Sequence, residues 1–219
     1  MITDRKKTEA APQTFCREDS KERPELRGGF SKWESKPGLL LHSCCGPCST
    51  AVVERLVEEY DVTVFFYNPC ITEEQEYQRR KEAQIRFIER YNMENAGKTV
   101  IYFKEGPYRP KEFFRLTQGL EEEPEGGSRC RVCFRQRLEK TAEEARLSGY
   151  DYFGTTLTVS PHKSFSVISE IGRAIALKYS LSFLDMDFKK KDGFKRSIEL
   201  SAKYGLYRQN YCGCQYSKR

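Results

Sequence analysis

Three cysteine clusters, Cys44-Cys45-Gly46-Pro47-Cys48, Cys130-Arg131-Val132-Cys133 and Cys212-Gly213-Cys214, stand roughly eighty residues apart in a chain of 219 residues. Seven of the nine cysteines fall within them. Cysteines that serve only as small buried hydrophobes are scattered singly. Pairs at spacings of zero, one or two residues instead bring several soft sulfur donors within reach of one metal or cluster. The fold therefore has to assemble a thiolate-rich site from three distant segments.

The pattern between the clusters indicates how. Leu39-Leu40-Leu41-His42-Ser43 is a short apolar run, followed by the first cysteine loop and a segment from Ser49 to Val57 with helical periodicity. Val62–Tyr67 reads as a second buried strand closed by Asn68-Pro69, a helix runs from about Glu73 to Tyr91, and Val100–Phe103 is a third strand. Further on come a helix after Lys111, the second cysteine loop, a helix from about Phe134 to Leu147, a strand at Tyr152–Thr156, a helix near Val167 to Lys178 and a strand at Phe183–Met186. Strands alternating with helices predict an α/β fold, with a mostly parallel sheet covered by helices on both faces. Ligands on such sheets bind beyond the carboxyl ends of the strands, which is where Ser43-Cys44-Cys45 and Thr155-Thr156 fall.

Residues 1–37 are polar and mixed in charge, with Pro12, Pro24, Gly28, Gly29 and Pro37 and no sustained apolar period, and read as a disordered extension. Residues 38–219 read as one α/β domain. Cys16 sits in the extension, far in sequence from any partner, and is expected to be a free surface thiol. No apolar run is long enough for a membrane span and the N-terminus leads into no apolar h-region, so a cytoplasmic protein is expected. In a reducing compartment, clustered cysteines serve as metal ligands or redox catalysts more often than as structural disulfides. The net charge of +6 permits a nucleic-acid partner without demanding one.

Cys130 and Cys133 form a C-x-x-C pair directly before the predicted helix, a spacing shared by zinc sites, iron–sulfur clusters and redox dithiols. Adjacent Cys44 and Cys45 suit a tetrahedral ion poorly. A cubane cluster takes ligands at different corners, so Cys44, Cys45, Cys130 and Cys133 are assigned to a [4Fe-4S] cluster. Cys48 is either a ligand to a second nearby metal or a buried thiol. Cys212 and Cys214 can close a strained, readily reduced disulfide ring across Gly213, can be two further metal ligands, or can be spare thiols in a flexible tail.

Together with these clusters, Leu40–Cys48, Tyr67-Asn68-Pro69 followed by Glu76-Tyr77 and Arg79, Thr155–Lys163, and Phe194–Cys214 resemble the QueH family of epoxyqueuosine reductases from about residue 38 to the end. The resemblance implies a PP-loop/HUP-like fold and reduction of epoxyqueuosine to queuosine at the wobble position of tRNAs with a GUN anticodon. It implies a four-iron cluster on Cys44, Cys45, Cys130 and Cys133, and a redox pair at Cys212 and Cys214. Cys70 stands where many relatives are expected to have Asn, and is taken as incidental.

Removing an epoxide oxygen as water takes two electrons and two protons. A cluster held by four thiolates has no open iron, so an additional iron ion at Cys48 is the expected Lewis acid, with electrons from an external donor. His162 is the first candidate proton donor, with Asp185 and Asp187 comparable, while His42 packs in its strand. For tRNA, the basic, aromatic segment 188–196, with Lys189, Lys190, Lys191, Lys195 and Arg196, is the first expectation, joined by Arg79, Lys81 and Arg208. The competing readings are a non-enzymatic zinc or iron–sulfur RNA-binding module and a PP-loop tRNA sulfurtransferase. The phosphate-binding Ser-Gly-Gly-x-Asp-Ser loop that the latter needs is missing.

Overall fold

Leu39, Leu40 and Leu41 of β1 (Gly38–His42) are all fully buried, which requires cover on both faces of the sheet. The computed structural model describes residues 36–218. All of the 1–37 extension except Lys36 and Pro37 lies outside the described residues, as does Cys16. Lys36 and Pro37 are already attached to the domain: Lys36 Nζ donates to the Val57 carbonyl at 2.7 Å, and the Pro37 carbonyl accepts from the Asp61 amide at 3.0 Å.

β1 is the middle of a five-stranded sheet with the order β3-β2-β1-β4-β5, every neighbouring pair parallel. The other strands are β2 (Asp61–Phe66), β3 (Tyr102–Glu105), β4 (Tyr152–Thr155) and β5 (Ser182–Phe183). The connecting helices are α1 (Gly46–Leu56), α2 (Glu74–Glu94), α3 (Pro110–Leu116), α4 (Ser128–Leu147) and α5 (Phe165–Tyr179), with α6 (Gly193–Lys203) after the last strand. Alternation along the strands divides the interior in two. Leu39, Leu41, Val62, Val64 and Phe66 pack with α1, α2 and α6, while Leu40, Phe65 and Phe153 pack with α4 and α5. The parallel α/β sheet with helices on both faces is thus as expected. A reversal of strand order about β1 opens a crevice at the carboxyl edge, where ligands of such sheets bind.

Four local expectations are corrected. α4 begins at Ser128, so Cys130 and Cys133 lie in its first two turns and not in a loop before it. Gly127 serves as its N-cap, and a glycine-rich approach disguised the start. β3 is displaced to 102–105, because Ile101 is held by the Asn92 side chain, which exchanges two 2.9 Å hydrogen bonds with its backbone. β5 keeps only Ser182 and Phe183; from Leu184 the chain turns away to present the Met186 carbonyl to the Thr158 hydroxyl. The segment beginning at Gly193, read as a basic run, is a helix whose Ser197, Leu200 and Ser201 face inward against α1.

Candidate active site

The carboxyl ends of β1, β2 and β4 are tied together by His42. A neutral imidazole donating from Nε2 to the Tyr67 carbonyl (3.1 Å) accepts at Nδ1 from the Thr155 hydroxyl (3.0 Å), whose oxygen in turn accepts from the Leu157 amide (3.1 Å). Burial, reinforced by the Arg137 charge, pushes the His42 pKa down to about 3, so the ring stays neutral. His42 is therefore a packing and hydrogen-bonding residue, as its place in the strand implied.

After β1 the chain turns sharply into α1. Asn68 Nδ2 donates to the Ser43 carbonyl (2.9 Å), the Ser43 hydroxyl donates to Gln84 Oε1 (2.7 Å), and Gln84 Nε2 donates to the Ser49 hydroxyl (2.9 Å). A Cβ on Gly46 would lie 2.5 Å from the Ala83 carbonyl oxygen, so glycine lets the start of α1 press against α2. This packing sets Cys44, Cys45 and Cys48 around the beginning of α1, with their sulfurs all within 4.8 Å of one another. The Cys44 and Cys45 sulfurs are 3.9 Å apart, and Gln209 Nε2 donates to the Cys45 sulfur at 3.0 Å. Hydrogen bonds from Cys45 and Cys48 hold the Cys44 pKa well below the ordinary thiol value, while those of Cys45 and Cys48 are pushed up, Cys45 to about 12. The three form a soft donor set able to hold a metal ion or one part of a cluster.

Cys130 and Cys133 lie outside that 4.8 Å group among the described residues. The Cys133 thiol beside Cys70 pulls the Cys70 pKa down to about 6, and the same interaction raises that of Cys133. Cys70 is fully buried in the loop after β2. Its sulfur neighbours that of Cys133 on α4. The Cys130 sulfur accepts from the Gly126 amide at 3.2 Å and borders a small cavity that Cys212 and Lys163 also line.

The segment carrying Cys212 and Cys214 is fixed in place and is no loose tail. Arg80 donates from Nη1 to the Cys212 carbonyl (2.9 Å) and from Nη2 to the Tyr211 carbonyl (3.2 Å), with Nε on Glu76 at 2.6 Å. Tyr207 donates to the other Glu76 oxygen (2.8 Å), and Thr72 N–H donates to the Gly213 carbonyl (3.3 Å). Gly213 has φ +113°, open to glycine and strained for other residues. Both Cys212 and Cys214 are free thiols. Burial raises the pKa of each.

Cys44, Cys48 and Cys212 line a cavity of about 520 Å³ together with Arg80, His162 and Lys163. Phe194, Arg208 and Tyr211 also border it. Burial alone would lower the Lys163 pKa, but its interaction with the neighbouring Cys212, Cys44 and Cys48 sulfurs outweighs this and pushes it up, so the ammonium stays protonated. His162 is exposed at the rim. Asp185 accepts from Ser169 (2.8 Å) and faces Arg173 (3.4 Å), and Asp187 pairs with Lys189 (3.2 Å), so both carboxylates are engaged locally.

Of the basic candidates, Lys190, Lys191 and Lys195 are exposed, and Arg208 is exposed with its guanidinium 5.8 Å over the Phe194 ring. Lys189 is turned towards the Thr158 and Lys163 carbonyls, Arg196 is paired with Glu54 and Glu199, and Lys81 with Glu105. Arg79 is exposed on α2; its neighbour Arg80 is the one buried in the site. Sequence reasoning missed Arg80, Lys163, Arg137, Gln209 and Cys70. Arg137 was accessible as the residue seven after Cys130 and four after Cys133, hence on one helical face with both, had α4 been started at Ser128.

Comparison with known proteins places the chain in a family. The family model described as epoxyqueuosine reductase QueH matches residues 39–219. Relatives named epoxyqueuosine reductase QueH include those of Streptococcus pyogenes serotype M1, 45% identical over 190 residues (85% of this chain, 74% of the relative), and Staphylococcus epidermidis, 43% over 197 residues (88% and 82%). That of Thermotoga maritima is 34% identical over 179 residues (82% and 89%). A thiol-lined cavity at the carboxyl edge of a parallel sheet, in a chain matched along nearly all its described length, makes this protein a member of the QueH family of epoxyqueuosine reductases.

Proposed function

We propose that this protein reduces epoxyqueuosine to queuosine in tRNA, acting through a metal centre held by its cysteines. The observation that carries this is the meeting of Cys44, Cys48 and Cys212 with a held Lys163 ammonium around one open cavity, with Cys45 grouped behind Cys44 and Cys48. The donor set fits a soft metal: the thiols are grouped and largely buried, and cations face them. Cys44, Cys45, Cys130 and Cys133 are the proposed ligands of a [4Fe-4S] cluster, and Cys48 is the proposed ligand of an additional iron beside it. Such a centre, when bound, supplies one-electron transfers and a polarising charge.

The chain's own residues supply the rest. In the dithiol form Cys212 and Cys214 together carry two electrons and two protons. Their oxidation to a disulfide balances loss of the epoxide oxygen as water and formation of the ring double bond of the product. An external donor then restores the dithiol. Lys163, at the same cavity, keeps its positive charge next to Cys212 and Cys44 and can hydrogen-bond the departing oxygen, with His162 at the rim the proposed proton donor. Phe194 and Arg208 at the rim offer a surface for an unstacked base, and the exposed Lys190, Lys191 and Lys195 are the proposed phosphate contacts.

Anaerobic purification with iron and sulfide counts, followed by mass spectrometry of nucleosides from epoxyqueuosine-containing tRNA treated with the reduced protein, tests this. Conversion to queuosine is expected, with iron above four per chain when Cys48 is intact. Unchanged epoxyqueuosine with fully loaded protein would sink the proposal. Active protein with only four irons would remove the additional ion.

A further inference from the structure

Arg137 extends from α4 one turn beyond Cys133 and is 1% exposed. Its Nε donates to the Cys133 carbonyl at 3.2 Å, and its guanidinium lies 5.6 Å from the Phe134 ring centroid. Its Nη2 is buried with no hydrogen-bond partner. Arg80, the other large buried cation of the site, is neutralised by Glu76. No carboxylate forms an ion pair with Arg137 among the described residues. A guanidinium withdrawn from water without an anion is costly to hold. The groups that face it and can carry negative charge are the sulfurs of Cys133, Cys70, Cys212 and Cys44. Metal binding fixes such sulfurs as thiolates.

We propose that Arg137 is a positioning residue of the metal centre, its unpartnered Nη2 and buried charge serving as the counter-ion of the thiolate ligands and favouring the reduced state of the centre. The inference rests on the reading above, that these cysteines hold an iron–sulfur centre. Reduction adds one negative charge to such a centre, so a fixed cation beside its sulfurs raises the potential at which it accepts an electron, and also slows ligand dissociation. Arg137 touches neither substrate nor reacting oxygen in this role; it acts through the sulfurs.

The test compares full-length wild type, Arg137→Met and Arg137→Lys after anaerobic reconstitution, reading iron and sulfide per chain, the rate of iron release to a chelator, and the midpoint potential by titration followed with electron paramagnetic resonance. In the methionine variant the midpoint potential should move negative and iron release should quicken by about tenfold or more. The lysine variant should stay closer to wild type in both. Arg137→Gln, which keeps a donor and removes the charge, takes the place of the methionine variant if that chain does not fold. Wild-type potential and retention in the uncharged variant would overturn the proposal, as would equal shifts in the lysine and uncharged variants, which would make side-chain shape responsible. Wild-type protein that takes up no iron would overturn the underlying reading, a result distinguishable from failure at Arg137 alone.

Discussion

Buried beneath the site at the end of β1, His42 links the Tyr67 carbonyl to Thr155 only while its ring is neutral, because one nitrogen must accept. Its pKa of about 3 in the folded chain lies below the ordinary value near 6.5, so between those limits the unfolded chain binds more protons. The stability that His42 provides is complete above about pH 6.5 and is lost as pH falls towards 3, at up to about 1.4 kcal/mol per pH unit. Thermal unfolding of wild type should therefore weaken more steeply from pH 7 to 5 than that of His42→Gln; parallel slopes would show that the ring is not kept neutral. This part of the site was legible in the sequence, since an apolar strand that includes a histidine must satisfy both its nitrogens. Lys163 was not legible, although it adjoins His162. Nothing in Ser-Pro-His-Lys says which of the two side chains turns towards cysteines that are remote in the chain.

At the scale of elements, the decisive piece is the segment around Cys212, fastened by Arg80 from α2 and Thr72 from the loop before it. Gly213 makes the fastening possible. A Cβ there would meet Ile71 at 3.0 Å and Arg80 at 3.1 Å, on a backbone that costs other residues about 1–3 kcal/mol. Gly213→Ala should raise amide exchange across residues 209–217 by about tenfold or more and lower reductase turnover, while the sheet keeps its protection. Hydrogen-exchange mass spectrometry checks this, and unaltered exchange in the segment would contradict it. The strands and most helices could be read from periodicity because their burial is set by local pattern. The docking of this segment could not, because it depends on a buried arginine in another element, and Arg79 and Arg80 look alike in sequence. α6 was hidden for a related reason. Its start lies in a basic run, where Lys191 and Asp192 adopt left-handed φ of 56° and Gly193 packs against the Phe188 carbonyl.

Across the whole molecule, positive charge is spread unevenly in its availability. Arg196, Lys189 and Lys81 are spent on internal pairs, whereas Lys190, Lys191 and Lys195 are exposed and are the proposed phosphate contacts. Binding of tRNA should weaken with salt, and the slope of log affinity against log salt should shrink by roughly 0.7–0.9 for each of Lys190→Ala and Lys191→Ala. Titrations at several ionic strengths decide it, and a slope untouched by both changes would move the interface elsewhere. The two cores of the sheet also divide the sulfurs between them: Cys44 and Cys45 pack with the α4–α5 side, and Cys70, Cys133 and Cys214 with the α1–α2 side. Cys45, Cys70 and Cys133 thus fill space on both sides of the sheet, in close-packed surroundings that leave little room for added oxygens. Air that carries these sulfurs to sulfinic acid would wedge the layers apart as well as disable the chemistry, and a reductant added later restores neither.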